Sequence, residues 1–357
     1  MSTASARRML VTGGAGFLGA NFVRYWAARH PSDHQVVLDA LTYAGDRSRV
    51  ADLETNGPVY FVVGDIGDER LVRELMVQQR IDTIVHFAAE SHVDRSIVDG
   101  ATFVRTNVLG TQSLLDAARA AWFAQGQWRP GVRFHHVSTD EVYGPLAPDA
   151  PPFNERSPYN PSSPYSASKA ASDHLVRAAG VTHGLPYSIS HCANNYGPFQ
   201  HAEKLIPFMV SQALEGLPLT IYGDGLQRRE WLAVQDHCAA LDAILHADVA
   251  GETFCIGGGT ELSNLELVQR LCDMIDAPFQ ADASLRDRFP RCPAALGVPC
   301  RSLITHVMDR PGHDRRYALD STKLRVLTNA SPTTEFGVGL EQVVAMALGR
   351  IRSISSA

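Results

Sequence analysis

The sequence predicts an α/β protein built on a doubly wound parallel sheet, with a smaller mixed α/β region toward its C-terminal side. Three observations carry that expectation. A short apolar strand at 9–12 runs through a glycine turn into an amphipathic segment at 20–29. Strand-like runs at 35–38, 59–63, 83–87 and 132–137 then alternate with helical patterns at 69–79 and 101–123. Finally, the 357 residues are 45% hydrophobic and 20% charged, enough for a large core. One large or two intimately joined domains are expected: 1–192 around the sheet, with later segments returning to it, and 193–357 mainly covering a ligand.

Composition narrows the function classes. A net charge of -6 argues against a nucleic-acid or membrane-surface binder. Any anionic ligand must therefore meet local cations. The six cysteines form no CxxC pair, so neither a zinc ribbon nor a redox motif is expected, and no metal site is predicted. No signal-peptide pattern and no membrane-length apolar run stand out, so the expectation is reduced thiols in a cytoplasmic protein.

The glycine turn is the first element with a chemical reading. Gly13, Gly16 and Gly19, with Phe17 and Leu18 between the last two, have dinucleotide-fingerprint spacing between a strand and a helix. Glycines there let the backbone approach a pyrophosphate, whose charge sits at the helix N-terminus. The next strand ends in Asp39, twenty residues after Gly19, placed to bond both ribose hydroxyls and repel a 2′-phosphate. No Arg or Lys stands directly beside it, which favours NAD over NADP. The plain alternative is a structural turn with a solvated Asp39, and the strand-turn-helix context argues against it.

Later strands end in further candidates. Asp65 and Ile66 follow 59–63, where they could meet an adenine edge. Phe87 closes the run at 83–87, Ala88, Ala89 and Ser91 follow it, and small side chains there leave room for a cofactor. The strand at 132–137 stops at Ser138-Thr139-Asp140-Glu141-Val142-Tyr143-Gly144. Asp140 and Glu141 can reach one pocket only if the backbone turns. Crowded carboxylates resist joint ionisation, so one keeps its proton and the pair offers an acid and a base. Which of them holds the proton does not follow from sequence. Tyr165 and Lys169, four apart at the start of a helix at 167–180, share one face. An ammonium beside the phenol, with a nicotinamide cation, favours the phenolate and a base for an alcohol proton. His135 and His136 read as structural strand residues, and His92 as packing beside the site.

With these motifs in hand, the chain resembles the extended short-chain dehydrogenase/reductases. Within them it is similar to the nucleotide-sugar 4,6-dehydratases, above all those acting on dTDP-glucose. The resemblance rests on the glycine turn, Leu41-Thr42-Tyr43-Ala44-Gly45, the 88–96 string, the Thr139-Asp140-Glu141 string, Ser163 through Lys169, Asn194-Asn195-Tyr196-Gly197-Pro198, Glu203-Lys204-Leu205-Ile206-Pro207 and Arg310 through Tyr317. It implies a doubly wound Rossmann fold and bound NAD. It also implies water elimination by C4 oxidation, C5/C6 elimination and hydride return to C6. Asp140 would be the acid, Glu141 the C5 base, Tyr165 and Lys169 the oxidation pair, and Thr139 a hydrogen bond to the C4 oxygen. Leu41, Thr42, Thr106 and Asn195 would join the glycine loop in holding NAD. Ser91, Asn194, Lys204, Leu205, Thr220, Tyr222, Arg229, Asn264, Arg310 and His313 would hold the nucleotide sugar. A homodimer paired through the helices near 104–123 and 166–180 is implied as well.

Departures cluster in the presumed nucleotide-binding half. They are Glu230 for the usual Asp, Ala233, Gln235, Thr220 for a common Pro, and His201-Ala202. They weaken the assignment of thymidine rather than of the reaction, leaving a UDP- or other nucleoside-diphospho hexose open. The segment 281–305 reads as a surface excursion. A 4-epimerase or decarboxylase would lack the Asp140-Glu141 pair, and a silent NAD sensor would have no use for it.

Overall fold

The computed structural model describes residues 6–309 and 312–350. Its centre is a seven-stranded parallel sheet. From one edge to the other the strands are Glu252–Ile256, Tyr187–Cys192, Arg133–Thr139, Thr83–His86, Arg8–Thr12, His34–Asp39 and Val59–Val63. The chain order reverses between Arg8–Thr12 and Thr83–His86, which opens a crevice at the carboxyl ends of those strands.

Strand side chains alternate faces, and the two faces find different helices. Met9, Val11, Val37, Val85 and Val137 pack into one core with Phe22, Trp26, Leu241 and Ile244, from the helices Phe17–Arg29 and Val234–His246. Leu10, Val36, Leu38, Ile84 and Phe134 enter the opposite core with Val72, Leu75, Leu114 and Val176, from Glu69–Gln78, Gly110–Trp122 and Pro164–His183. The strands are therefore apolar on both sides, as a sheet covered on both faces requires.

Most elements start and stop close to their sequence expectations; Val59–Val63 coincides with the run expected there. The helix expected over 101–123 runs as Gly100–Phe103, a π-helical stretch Val104–Leu109, and Gly110–Trp122. Asn107 explains that stretch. Its side chain accepts from Glu90 N at 2.9 Å, donates to Glu90 O at 3.0 Å, and donates to Ser168 Oγ at 2.8 Å. Wide helical turns of this kind occur mostly at functional sites.

A second core holds the rest. Asn194–Tyr196, Arg228–Ala233 and Thr260–Ser263 form a three-stranded sheet, and Leu219–Tyr222 pairs in parallel with Ile304–Val307. Ile206, Met209, Trp231, Leu267, Leu271, Phe279 and Leu340 pack beneath them. The segment 281–305 is no surface excursion. Leu285, Cys292 and Cys300 are fully buried in this core, and the segment ends in the strand that pairs with Leu219–Tyr222. Cys292 Sγ and Cys300 Sγ lie 3.6 Å apart as free thiols. Among the described residues no helix is long and apolar enough to cross a membrane.

Candidate active site

The strand Arg133–Thr139 delivers Thr139 to the carboxyl edge, where the backbone turns into a single 3-10 turn, Asp140–Tyr143. Thr139 caps that turn: its Oγ1 accepts from Glu141 N at 3.3 Å and donates to Asp140 Oδ1 at 3.3 Å. The turn brings both carboxylates to the wall of one cavity, which alternation along a strand would forbid. Gly144 ends it at φ 76, where a Cβ would lie 2.0 Å from Asn160 O, so glycine is required.

The helix Pro164–His183 supplies the phenol and the amine. Pro164 opens it, and Ser163 and Ser166 exchange backbone bonds in a capping box. Tyr165 and Lys169 point from its first turns into the same cavity as Thr139, Asp140 and Glu141. Lys169 Nζ donates to Val137 O at 2.9 Å, fixing the helix against the strand that carries the carboxylates. One turn on, fully buried Asp173 accepts from Tyr159 OH at 2.8 Å and Ser138 Oγ at 3.0 Å. His191 Nε2 is 2.9 Å from its Oδ2 and His136 Nε2 is 3.3 Å from its Oδ1. Among the described residues the His135 ring bonds Ser188 and Ser190, as a packing residue does. His136 is more than that, because its Nε2 lies 3.4 Å from Lys169 Nζ.

Burial sets the electrostatics. Desolvation, reinforced by Glu141 and Glu230, raises the Asp140 carboxyl well above its ordinary range and so favours its protonated form. Desolvation and Glu141 also raise Tyr165, against the lowering expected from Lys169, while a hydrogen bond with Thr139 opposes the rise. Lys169 is lowered from 10.5 to about 8 by burial, with Asp173 and Cys192 pulling the other way. Desolvation opposes ionisation of Asp173, but its bonds to His136 and His191 hold it well below the usual range.

The cavity, about 330 Å³, continues over the glycine turn. A Cβ on Gly13 would lie 2.6 Å from Ala88 N, and one on Gly19 would lie 2.2 Å from Gly13 O. The loop is thus bare backbone at the mouth of a helix whose Gly16 N-cap offers no side-chain bond and whose first turn has no acid. That is a cradle for a pyrophosphate. Asp39 braces it, accepting from Ala15 N at 2.9 Å and Leu41 N at 2.8 Å. Arg49, unremarked in the sequence, lies close enough to sense Asp39, but its NH1 is held by Ala15 O and Ala44 O, each at 2.8 Å.

Of the expected residues, Gly13, Gly16, Phe17, Leu18, Gly19, Asp39, Thr42, Asp65, Ile66, Phe87, Ala88, Ala89, Ser91, Thr106, Asn194, Asn195 and Lys204 line this cavity with the five acid-base residues. Leu41 does not line it, and neither does Leu205, which packs on the second core. Thr220, Tyr222, Arg229, Asn264 and His313 also lie off it. Tyr222 meets His313 edge to face at 6.1 Å, and the Arg229 guanidinium stacks 4.6 Å over Tyr317 and donates to Asp314 O at 3.0 Å. Arg229 is still near enough to pull on the Asp140 carboxyl. Arg310 lies outside the described residues.

Sequence reasoning missed Cys192 and Gln200, both lining the cavity, as well as Asn107 and Asp173. Asp173 had a signal, one helical turn past Lys169; Asn107 had none. Glu230, a departure from the expected Asp, is buried and clamps Gly259 N at 2.7 Å and Leu319 N at 2.8 Å. Away from the cavity, His30, Asp242 and His246 gather closely enough to consider a metal. Their nearest separations of 3.1 and 2.8 Å are hydrogen-bond distances, shorter than the roughly 3.4 Å between ligands on a tetrahedral zinc.

Known proteins resemble this chain over nearly its whole length. The family model described as GDP-mannose 4,6 dehydratase matches residues 10–343. The dTDP-glucose 4,6-dehydratase of Xanthomonas campestris pv. campestris is 48% identical over 336 residues, 94% of this chain and 91% of that protein. The enzyme of the same name from Neisseria gonorrhoeae is 47% identical, with 96% of each chain covered. The crystal structure of DesIV, a dTDP-glucose 4,6-dehydratase from Streptomyces venezuelae with NAD and dTDP bound, superposes with a TM-score of 0.83 at 44% identity, covering 96% of this chain and 97% of that one. A glycine cradle, a Tyr-Lys helix and a strand-end acid pair around one cavity, in a chain matched from residue 10 to residue 343, place this protein in the GDP-mannose 4,6 dehydratase family.

Proposed function

We propose that this protein is an NAD-dependent nucleotide-sugar 4,6-dehydratase that converts dTDP-glucose to its 4-keto-6-deoxy product. The observation that carries the reading is the convergence of Asp140, Glu141, Tyr165 and Lys169 on the cavity that also holds the glycine cradle. Epimerases and decarboxylases need the phenol and the amine, but not a second acid and base. The thymidine assignment is supported by relatives of that name at 47–48% identity across nearly the whole chain. The departures at Glu230 and Ala233 are buried side chains off the cavity wall, whereas His201 lines it.

The residues that would hold NAD are Gly13, Gly16 and Gly19 at the pyrophosphate, Asp39 at the ribose, and Tyr165 with Lys169 at the nicotinamide end. When bound, NAD supplies the hydride acceptor for C4 and the hydride donor for C6. The chain's own groups move protons. Tyr165 takes the C4 hydroxyl proton while Thr139 bonds the C4 oxygen. The resulting ketone acidifies C5, and Glu141 removes that proton. Asp140, whose protonated form burial favours, donates to the departing C6 hydroxyl. Lys204, which lines the cavity, and Arg229, which lies off it, would meet the diphosphate, and the resemblance adds Arg310.

The assembly we propose is a cytoplasmic homodimer. Its support is the exposure of Ile97, Val98, Val104, Leu109 and Val181 on and beside the two helices concerned, together with six free cysteines. Mass spectrometry of products from dTDP-glucose and UDP-glucose tests the function. Loss of one water from the dTDP sugar without added reductant is expected; turnover of the UDP sugar alone would overturn the thymidine assignment.

A further inference from the structure

We propose that Arg95, Tyr43 and His201 form a clasp that keeps NAD in its cavity through the whole turnover. The inference rests on the dehydratase reading, and the chemistry sets the need. The hydride taken from C4 is held until it is returned to C6, and nothing outside the site supplies another. A cofactor lost in between would carry those two electrons away and strand an oxidised sugar. The glycine cradle grips one side of the cavity only. Retention calls for contacts between the segments that wall the rest.

Two such segments meet. After Asp39 the chain turns at Leu41, φ 51, a left-handed conformation that a leucine seldom adopts. Thr42, Tyr43, Ala44 and Gly45 then line the cavity. Gln200, His201, Glu203 and Lys204, from the later half of the chain, line it as well. The segments touch ring to ring: Tyr43 and His201 lie edge to face, with centroids 5.7 Å apart. Arg95, on the short helix Val93–Val98, does not line the cavity and grips both segments from behind. Its guanidinium stacks 4.0 Å over the Tyr43 ring, and its NH2 donates to Glu203 Oε2 at 3.5 Å. His92 Nε2 lies 3.5 Å from the same oxygen, and His201 Nδ1 lies 3.6 Å from Oε1. The ion pair contributes little by itself, because Arg95 is half exposed. The stack over the ring contributes more. A loop that leaves its strand through a strained residue needs such contacts to stay in place. It cannot swing open without losing the stack and the ring pair together.

The test measures release of NADH by its fluorescence, after the loaded full-length chain is mixed with a large excess of NAD. Arg95→Met keeps the length of the side chain and removes its charge and plane. His201→Ala removes a ring that His201→Phe keeps. Both side chains are partly exposed, so these changes spare the fold. Release should be about 10-fold faster from Arg95→Met and from His201→Ala, the order of one lost cation–π contact. His201→Phe should release as slowly as wild type. With dTDP-glucose the two fast variants should also leak, and free NADH should accumulate beside a 4-keto sugar never reduced at C6. Release at the wild-type rate from Arg95→Met or from His201→Ala would overturn the clasp. A wild-type chain that holds no NADH would overturn it together with the cofactor assignment. One that retains NADH yet makes no 4-keto-6-deoxy product would refute the dehydratase reading and leave the clasp standing.

Discussion

Lys169 gives the most demanding quantitative prediction, because its charge is useful to chemistry and costly to the fold. It is 4% exposed, and burial lowers it from 10.5 to about 8. That gap is worth about 3 kcal/mol. An amine lowered by folding is charged in both states below pH about 8, and there the folded protein bears the full cost. Above 10.5 it is neutral in both states and the cost is gone. Wild-type stability should therefore gain about 3 kcal/mol from this residue as pH rises through that window. Lys169→Met removes the charge but also the bond to Val137 O, worth about 1 kcal/mol. The variant should be about 2 kcal/mol more stable than wild type at pH 7 and about 1 kcal/mol less stable near pH 10.5. It should also be inactive. Urea melts of both proteins at several pH values measure the difference, in which titrations common to both cancel. A difference that does not change with pH would refute the reasoning, since it would mean that Lys169 is not a desolvated cation.

Two further outcomes test the carboxylate turn. Glu141→Gln should abolish exchange of the substrate C5 proton with heavy water, followed by NMR, while C4 oxidation remains visible as reduced nicotinamide absorbance; undiminished exchange would remove Glu141 as the base. Gly144→Ala forces a side chain into φ 76 and against Asn160 O, so it should cost at least about 2 kcal/mol in denaturant midpoint and lower turnover by displacing Asp140 and Glu141.

The sheet was legible because a parallel strand covered on both faces is written as a continuous apolar run, and the glycine turn because its spacing is a backbone requirement. The acid-base residues were legible for the same local reason: Asp140-Glu141 ends a strand and Tyr165-Lys169 opens a helix. What escaped were contacts between distant segments. Asn107 joins Glu90 to Ser168 across 17 and 61 residues, and no local pattern encodes that. Asp173 looked like one more polar position on a helix, and its role emerged only when His136 and His191 arrived from two strands. At Tyr165, burial and Glu141 outweigh the adjacency to Lys169 that the sequence shows. The segment 281–305 misled because Pro and Cys read as loop composition, whereas Cys292 and Cys300 serve as small apolar fillers.

The returning strand Glu252–Ile256 has a consequence for how the molecule is made. It covers Tyr187–Cys192, whose six residues are all buried and which would otherwise be the bare margin of the sheet. During synthesis that margin stays open until some sixty more residues have left the ribosome. A nascent chain paused there offers an apolar strand to any neighbour, so truncations ending between 193 and 250 should aggregate rather than yield an isolated dinucleotide-binding half.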